Sequence, residues 1–502
     1  MRPLLAAGCL LMAPAWLAGA GSAQAGPAAA LRWASDSEGG APFCFQDPAD
    51  PSQLVGCEVD LMDALCRRLG RPSVFVQNTW DGLIPGLERG NYDIAINAIE
   101  ITPARRREVS FTQPYYVTYE QFVVRDTENG VQGLGDLKGL KVGTYKGAVA
   151  QDILERQGGI DLRLYEDVEP MYRDLLNGRV DATLLDQPLA LYCGSPIPGL
   201  KFVGEPVAQI EYGIALRKED QALLGRLNEA LEDIKRSGEL RRIFERWNLW
   251  TPMMARWLDD PRPRQAPPDA WDHYLAARDR TRSLGERLAD YVRYLPLLAR
   301  GAVVTLELSV LGMALAMALG LVLALGKLYG PAPLRWTAVA YIELVRGTPL
   351  LIQLFIIFYG LPYFGIKLPP FLAAVLGLGL NYAAYEAENY RAGISSVPRG
   401  QAEAAASLGF SRFQALRHVV LPQALRVTLP PVTNDFISII KDSSLVSVIT
   451  MVELTKVYGQ LASATYDWMG LGLLTAAMYF LVGFPFVLLA RKLEKIFNPK
   501  PF

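Results

Sequence analysis

The sequence contains little histidine, little cysteine and no excess of either charge. Only two histidines and five cysteines occur among 502 residues, and 50 basic residues face 51 acidic ones, which leaves a formal charge of −1. This balance gives no general attraction to nucleic acid. The positions of His273 and His418 and the cysteine spacings match neither a catalytic nor a zinc site. We therefore predict no catalytic residue, no metal site and no nucleic-acid partner.

The phosphate-binding pattern G-x-x-x-x-G-K-[S/T] is also absent from the sequence. That loop cradles the phosphates of ATP in many nucleotide-hydrolysing proteins. Any ATP hydrolysis that this chain uses must therefore be supplied by another polypeptide.

Charge is missing from long stretches of the second half of the chain. Charged residues recur every few positions from Arg32 to Arg293, but several long runs after Leu295 carry almost none. A helix needs about 20 apolar residues to cross a bilayer, and 502 residues exceed a single hydrophobic core. The pattern predicts a soluble half and then a membrane half at residues 295–495. Five spans are expected near residues 299–326, 338–360, 369–389, 429–452 and 468–490.

The distribution of basic residues supports five spans. If the soluble half is exported, five spans place residues 327–335, the loop 391–428 and the C-terminal tail inside, and all three segments contain lysine or arginine. This arrangement follows the positive-inside rule, whereas four spans would put the large loop or the tail outside. The fourth span is interrupted by charges within residues 435–442, which must face protein or a water-filled path.

The N-terminus has the pattern of a secretory signal. Arg2 precedes the apolar stretch 4–17, and small residues within 23–25 resemble a cleavage site. We predict a signal peptide at residues 1–25 and an exported domain at residues 26–250.

The exported half alternates short apolar runs with amphipathic patterns. Strands are predicted at residues 73–77, 92–98, 140–143 and 180–185, and helices at 59–69 and 223–247. Such alternation predicts an α/β fold with largely parallel sheets, long enough for two lobes. The extended, aromatic segment Tyr115–Val124 is expected to be the first crossing between the lobes. Cys44 and Cys57 flank a turn-rich segment and either form a disulfide or remain thiols.

Residues 251–294 are interpreted as a linker, because prolines and charges are frequent there. Two interpretations stay open. The segment is a passive tether, or Trp271–Tyr291 forms a helix that lies on the membrane surface.

A candidate anion site follows the strand predicted at residues 92–98. Thr102 can cap a helix and Pro103 suits its first position. Free N–H groups at a helix start attract anions, and the guanidinium of Arg105 can bind a carboxylate through two hydrogen bonds. From the spacing alone, a structural role for Arg105 is equally open.

Residues 31–250 resemble the periplasmic polar amino-acid-binding proteins over their whole length. The matching segments are Val55–Leu61, Trp80–Pro85, Ile101–Pro103 with Arg105, Pro114–Tyr116, Tyr212–Ala215 and Arg242–Trp247. The resemblance implies a two-lobed α/β binding protein of type II that clamps a free amino acid between its lobes. It implies that Arg105 holds the α-carboxylate, Asp186 takes the α-ammonium and Trp80 stacks on the side chain. The alternatives are core packing for Trp80 and turn capping for Asp186.

The same resemblance implies four further ligand-binding positions. Ala98 and Glu100 would line the floor, Asp36 would lie near the far end of the ligand, and the turn at Ala148 would offer backbone N–H groups. The family usually has glycine at position 98 and serine or threonine at positions 100 and 148. This sequence therefore loses a hydroxyl and gains an acid. We hypothesise a preference for a cationic or amide side chain, helped by Glu100, Asp36 and the face of Trp80.

A second resemblance lies between the third and fourth predicted spans. The sequence Gly400–Gly409, followed nine residues later by Val419–Pro422, is similar to the EAA loop of ABC import permeases. The surrounding residues 295–490 resemble the polar amino-acid permeases. They do so through Arg346–Leu351, Glu388 with Arg391, and Lys441–Leu445.

The EAA-like loop contains the residues predicted to couple the chain to an ATPase. Residues 403–408 favour a helix, and Gly409 can end that helix with a positive φ. A short helix with a small-residue face can sit in the groove of a partner. The coupling residues that the resemblance implies are Glu403, Ala404, Ala405 and Gly409. The alternative is a basic amphipathic loop on the inner membrane surface.

Together the resemblances imply a type II binding protein fused to an all-α transmembrane ABC type I importer permease of five helices. The implied function is ATP-driven import of a polar amino acid across the bacterial inner membrane, with the binding domain in the periplasm. The implied partners are a free amino acid, cytoplasmic ABC ATPase subunits that hold ATP and Mg²⁺, a second permease copy in a homodimer, and membrane lipid. The chain itself is expected to be no enzyme and to hold no cofactor.

Two other functions stay open. One is an amino-acid-gated channel, although a channel has no use for an EAA loop. The other is a periplasmic dehydratase-like enzyme tethered to the membrane, for which Glu100 is the only unusual candidate for a general acid or base.

Overall fold

The computed structural model describes residues 30–38, 41–47, 49–165, 167–278, 283–465 and 467–497. The predicted signal peptide at residues 1–25 lies outside these ranges. The strands are β1 (Leu31–Ser35), β2 (Phe45–Gln46), β3 (Leu54–Val55), β4 (Ser73–Gln77), β5 (Ile94–Ala95), β6 (Ser110–Phe111), β7 (Tyr116–Arg125), β8 (Lys141–Tyr145), β9 (Asp161–Tyr165), β10 (Ala182–Asp186), β11 (Leu200–Tyr212) and β12 (Ala215–Leu216).

The helices of the soluble half and linker are α1 (Cys57–Leu69), α2 (Leu83–Glu88), α3 (Arg105–Glu108), α4 (Val149–Gln157), α5 (Val168–Leu176), α6 (Gln187–Leu189), α7 (Gln221–Arg236), α8 (Glu239–Arg246), α9 (Pro252–Trp257) and α10 (Asp269–Arg278). Those of the membrane half are α11 (Leu284–Tyr329), α12 (Ala332–Arg346), α13 (Leu350–Phe355), α14 (Pro370–Ser396), α15 (Arg399–Ser407), α16 (Arg412–Ala415), α17 (Leu421–Asp442), α18 (Leu454–Thr465) and α19 (Trp468–Phe497).

The soluble half consists of two lobes, each built on a five-stranded sheet. The strand orders are β4-β1-β5-β12-β6 in lobe 1 and β11-β7-β10-β8-β9 in lobe 2. In lobe 1, β1 pairs in parallel with β4 and β5, and in lobe 2, β8 pairs in parallel with β9 and β10. The long strands β7 and β11 pair antiparallel and connect the lobes. The predicted two-lobed α/β fold is therefore confirmed, and β7 forms the crossing expected near Tyr115–Val124.

Helix α1 shows how the sequence builds the core of lobe 1. Its apolar face buries Leu61, Met62 and Leu65 completely. Full burial of such side chains stabilises a fold by about 1.5–3 kcal/mol each. The helix ends at Gly70, which has a φ of 63°, and glycine adopts this left-handed conformation without steric cost.

All four cysteines in the described part of the chain are buried free thiols. Cys44 and Cys57 are both fully buried, and they do not form the disulfide that their spacing left open. Burial raises the pKa of both thiols well above the usual value.

Two helices of the linker, α9 and α10, pack on the soluble half. Met254 of α9 is fully buried, and its sulfur accepts a hydrogen bond of 3.1 Å from the N–H of Val117. The Tyr274 hydroxyl of α10 donates to the carbonyl of Tyr192 at 3.0 Å, and the Trp271 ring lies 4.5 Å from the Tyr192 ring. Helix α9 therefore packs on the β7 crossing, and α10 packs on the segment that contains Tyr192.

The membrane half is all-helical, but five continuous spans are not confirmed. Among the described residues, two helices are long and apolar enough to cross a membrane, Gly285–Tyr329 and Trp468–Leu493. A third candidate by length and composition is counted if Ala332–Arg346 and Leu350–Phe364 are taken as one span, and these two segments meet at a bend of 107°. The second span predicted at residues 338–360 therefore contains this bend. Pro349 causes the break because it lacks an N–H and forces the preceding residue out of helical geometry.

The third and fourth predicted spans correspond to helices that carry polar groups. Helix α14 covers the span predicted at residues 369–389 and continues to Ser396. Helix α17 begins at Leu421 and ends at Asp442, so the helix predicted at residues 429–452 lies about two turns too far along the chain. A 3₁₀ segment at Ser443–Ile449 follows it.

Candidate functional site

The cleft between the lobes encloses a cavity of about 50 Å³. A water needs about 10–15 Å³ of such volume, so the cavity has room for a few waters. Six of the predicted ligand-binding residues line it, namely Asp36, Trp80, Ala98, Glu100, Ala148 and Asp186. Sequence reasoning missed the other lining residues, which are Phe43, Asn97, Tyr145, Leu185 and Leu189. No motif marks them, and only the fold brings them to the cleft.

Asp36 positions Trp80 at the mouth of the cleft. One oxygen of the Asp36 carboxylate accepts the backbone N–H of Trp80 at 2.9 Å, and the other accepts Gln77 Nε2 at 3.2 Å. The Trp80 ring is half-buried and lies 6.4 Å from the ring of Tyr145 in lobe 2. Trp80 thus faces the opposite lobe, although it also packs against the core of lobe 1.

Ala98 occupies a backbone conformation that glycine adopts more easily. Its φ is 50°, and its N–H donates to a buried oxygen of Glu58 at 2.6 Å. The Tyr115 hydroxyl donates to the same oxygen, and burial raises the pKa of Glu58 to about 7. The floor of the cleft is therefore held in a strained conformation by a buried acid behind it.

Replacing Ala98 with glycine is expected to stabilise the binding domain. The left-handed conformation costs alanine about 1–2 kcal/mol, and the greater freedom of glycine in the unfolded chain cancels about half of that. We expect a net gain of about 0.5–1 kcal/mol, measured as a higher melting temperature of the full chain. Ala95→Gly is the control, because Ala95 is a buried strand residue without a positive φ. If both substitutions changed the melting temperature equally, the backbone at Ala98 would not be strained.

Arg105 lies beside the cavity, and its guanidinium is already bonded to other groups of the protein. Thr102 Oγ1 accepts the N–H of Arg105 at 3.2 Å, but α3 begins at Arg105 with Ala104 at its N-cap, so Thr102 and Pro103 do not take the helix positions expected from the sequence. The Arg105 guanidinium pairs with the Glu100 carboxylate, and it also donates to the carbonyl of Gly147 in lobe 2 at 3.1 Å. Its planar group lies 5.6 Å from the centre of the Trp80 ring.

Asp186 ends β10 beside two further acids. It is the register partner of Glu120 on β7, and the Tyr212 hydroxyl donates to its carboxylate. Burial, and next the charge of Glu100, raise the pKa of Asp186 to about 7. Burial, and next the charge of Asp186, raise the pKa of Glu120 well above its usual value. Two neighbouring buried carboxyls leave a place where a positive group would be stabilised. Glu120 was missed from the sequence because one acid in a strand carries no motif.

The EAA-like loop forms the short helix α15 and a turn. Glu403 and Ala404 are exposed, whereas Ala405 is buried. Gly409 has a φ of 85° and ends this segment as its position predicted. The exposed surface beside the turn carries Leu408 and Phe413, whose side chains are 79 % and 68 % exposed.

The charges that interrupt α17 mostly face protein. Asp435 accepts from Asn389 at 2.8 Å, and Asp442 accepts from the Tyr382 hydroxyl at 2.7 Å. Lys441 is exposed. The sequence motif that contains Glu388 also has a structural basis, since Lys327 and Arg391 both contact its carboxylate, at 2.5 Å and 2.8 Å.

The soluble half contacts the membrane half through an ion pair next to the cleft. Lys456 Nζ lies 2.7 Å from Glu38 Oε2, and the Lys456 side chain is only 4 % exposed. Burial raises the pKa of Glu38 to about 7, against the opposing charge of Lys456. Nearby, the Arg89 guanidinium lies 4.6 Å and 4.4 Å from the ring centres of Phe358 and Tyr359. Lobe 1 is thus held on the membrane half by buried charges.

A larger cavity of about 580 Å³ lies between the cleft and the membrane half. Asp36, Trp80 and Tyr145 line both this cavity and the cleft. Phe355 and Tyr359 of the membrane half line its other side. These three residues therefore form the boundary between the two spaces.

Comparisons with known proteins match the two halves separately. The model of the bacterial extracellular solute-binding proteins, family 3, matches residues 31–249. The model of the binding-protein-dependent transport system inner membrane component matches residues 316–498.

Individual relatives agree with these matches. The L-cystine transport system permease protein TcyB of Bacillus subtilis is 41 % identical over 201 residues, which are 40 % of this chain and 86 % of that protein. The glutamine transport system permease protein GlnP of Escherichia coli is 36 % identical over 203 residues, 40 % of this chain and 93 % of that protein. The L-cystine-binding protein TcyJ of Escherichia coli is 33 % identical over 209 residues, 41 % of this chain and 78 % of that protein.

Proposed function

Because the chain belongs to the amino-acid ABC transporter permeases and carries a family 3 solute-binding domain on the same polypeptide, we propose that it imports a polar amino acid at the expense of ATP. It is a transport component rather than an enzyme. The binding domain captures the amino acid outside the membrane and delivers it to its own membrane half. Because the binding domain is attached to its membrane half, it does not have to diffuse to it, and its effective concentration there is high.

The junction of the two cavities carries this proposal. A ligand that leaves the cleft past Trp80 enters the larger cavity, whose far wall is Phe355 and Tyr359 of the membrane half. The ion pair between Glu38 and Lys456 keeps this junction aligned. The route supports transfer within one chain, without release of the amino acid to solvent.

We propose the remaining components from the family's usual organisation. ATP and Mg²⁺ bind to separate cytoplasmic ATPase subunits, which contact the loop that contains Glu403, Ala404, Ala405 and Gly409. Two copies of this chain form the permease as a homodimer surrounded by lipid. The complex lies in the bacterial inner membrane with the binding domain in the periplasm, and residues 391–428 on the cytoplasmic side.

The acids of the cleft support a substrate with a cationic or amide side chain. Asp186 and Glu120 form a buried acidic pair that a ligand ammonium would stabilise, and the Trp80 face can hold a second positive or amide group. Glutamate would add a negative charge to this region. Glutamine and cystine, which the relatives GlnP and TcyB transport by name, are suitable test substrates beside arginine.

Uptake in a bacterial strain tests the function. Cells that express the chain with an amino-acid-type ABC ATPase are expected to accumulate radiolabelled arginine, glutamine or cystine, and accumulation should stop when ATP is depleted. Ligand-evoked current in a bilayer that contains the chain without ATPase would contradict import and indicate a channel. Chemical conversion of the bound ligand would indicate an enzyme.

Ligand affinity is expected to rise with pH. Because the pKa of Asp186 is raised to about 7, its carboxyl is mostly protonated at pH 5.5 and mostly ionised at pH 8. The ionised form attracts the ligand ammonium, so titration calorimetry should give affinity for arginine or glutamine about tenfold tighter at pH 8 than at pH 5.5. Asp186→Asn should bind weakly with little dependence on pH. An unchanged pH profile in that variant would exclude Asp186 as the ammonium partner.

A further inference from the structure

The anion-binding groups of the cleft are occupied by a side chain of the protein itself. The carboxylate of Glu100 pairs with the Arg105 guanidinium, and its other oxygen accepts the N–H of Val149 at 3.0 Å. Val149 is the first residue of α4, a helix of nine residues in lobe 2. Arginine and a helix N-terminus are the two groups that a free carboxylate would be expected to bind here.

These same contacts join the two lobes. Glu100 and Arg105 belong to lobe 1, whereas Gly147 and Val149 belong to lobe 2. The Arg105 guanidinium adds a hydrogen bond of 3.1 Å to the Gly147 carbonyl. Both charged groups of the Glu100–Arg105 pair therefore bond to lobe 2 across the cleft. Only 3 % of the Glu100 side chain is exposed, which shields the bonds of its carboxylate from water.

The length of the glutamate side chain makes the bridge possible. The binding proteins that this domain resembles usually have serine or threonine at this position. Such a hydroxyl is attached directly to Cβ, whereas the carboxylate of Glu100 is carried two carbon atoms further. Glutamate at this position therefore places a negative charge at the start of α4, which serine or threonine would not do.

We propose that Glu100 is an internal competitor of the ligand, which occupies the α-carboxylate position and latches the lobes until a free amino acid displaces it. The proposal rests on the proposed amino-acid binding. Arg105 then has two alternating partners, the Glu100 carboxylate in the unliganded chain and the α-carboxylate of the ligand in the loaded one.

The latch has a consequence for substrate capture. A ligand binds only to the fraction of molecules in which Glu100 has left the anion site, and the apparent dissociation constant rises by the inverse of that fraction. The domain would therefore respond to a higher amino-acid concentration than a site with serine at this position. The closed, unliganded lobes also stay docked on the membrane half without transferring anything.

The lobe distance tests the latch directly. Spin labels are attached at Asp63→Cys on lobe 1 and Arg156→Cys on lobe 2, both exposed positions, in the full chain in lipid nanodiscs without amino acid. The native thiols in the described part of the chain are buried. Pulsed electron resonance should give one short distance for the parent chain and a longer, broader distribution for Glu100→Ser. Glu108→Ser is the matched control, because Glu108 is exposed and should leave the distance unchanged.

Binding to arginine, glutamine and cystine gives the second readout. By titration calorimetry, Glu100→Ser should bind its preferred amino acid about tenfold more tightly than the parent chain, since the competitor is gone. Weaker binding would overturn the proposal and make Glu100 a ligand contact. An unchanged lobe distance in Glu100→Ser would overturn it as well. If no form binds any of the three amino acids, the proposed function fails, while the distance measurement still decides whether Glu100 latches the lobes.

Discussion

Lys456→Met is expected to abolish most transport while the chain still binds its amino acid. The substitution leaves the Glu38 carboxylate at the junction without the ammonium that lies 2.7 Å away. Removing one partner of a buried ion pair costs about 3–5 kcal/mol, because the other charge stays buried and unpaired. A loss of this size lowers the equilibrium constant for docking by a hundredfold or more. We expect uptake of radiolabelled substrate to fall at least about tenfold, with affinity by calorimetry within about threefold of the parent chain.

Two variants separate docking from general damage. Lys138→Met removes an exposed lysine of lobe 2 and should transport normally. The exchange Glu38→Lys with Lys456→Glu restores opposite charges across the junction and should recover part of the activity. Normal uptake by Lys456→Met would show that the ion pair does not hold the soluble half in place. A parallel loss of ligand affinity would show that Lys456 acts on the cleft instead.

The elements that local patterns specify were predicted well. Alternating apolar runs gave the two-lobed α/β fold, and β4 lies at the residues predicted, Ser73–Gln77. The crossing strand β7 begins one residue later than expected. In the membrane half, uncharged runs located α11, α14 and α19. A chain segment in lipid must satisfy its backbone hydrogen bonds internally, and a helix does so. The break at Thr348-Pro349 could have been read from the sequence, since the residue before proline avoids helical geometry.

The candidate site was predicted only where a motif or resemblance marked it. Arg105, Asp186 and Glu100 are near one another as the resemblance implied, but their partners are not local in sequence. Glu120 meets Asp186 because two strands pair across 66 residues, and Glu38 meets Lys456 across 418. The periodic pattern of apolar residues in the sequence does not predict contacts between residues so far apart in the chain. The latch by Glu100 likewise follows from the three-dimensional position of Val149, not from the acid alone.

Gly409→Trp is expected to uncouple the permease from its ATPase without changing ligand binding. A non-glycine residue at a φ of 85° costs about 1–2 kcal/mol, and an indole at this exposed turn covers the small-residue surface beside Glu403. We expect uptake to fall at least about tenfold, with unchanged affinity and membrane insertion. Glu403→Lys should give the same result by reversing a charge on that surface.

The matched control for Gly409→Trp is Gly365→Trp. Gly365 also has a positive φ, 81°, and both glycines have open space around the position of a Cβ atom, so the two substitutions impose similar backbone strain. They differ in location, because Gly365 lies in the loop before α14, on the side predicted to be outside. If coupling depends on the loop at Gly409, only Gly409→Trp stops uptake and substrate-stimulated ATP hydrolysis. Equal defects in both variants would mean that strain, rather than contact with the ATPase, causes the loss. Normal uptake with Gly409→Trp would exclude this loop as the coupling surface.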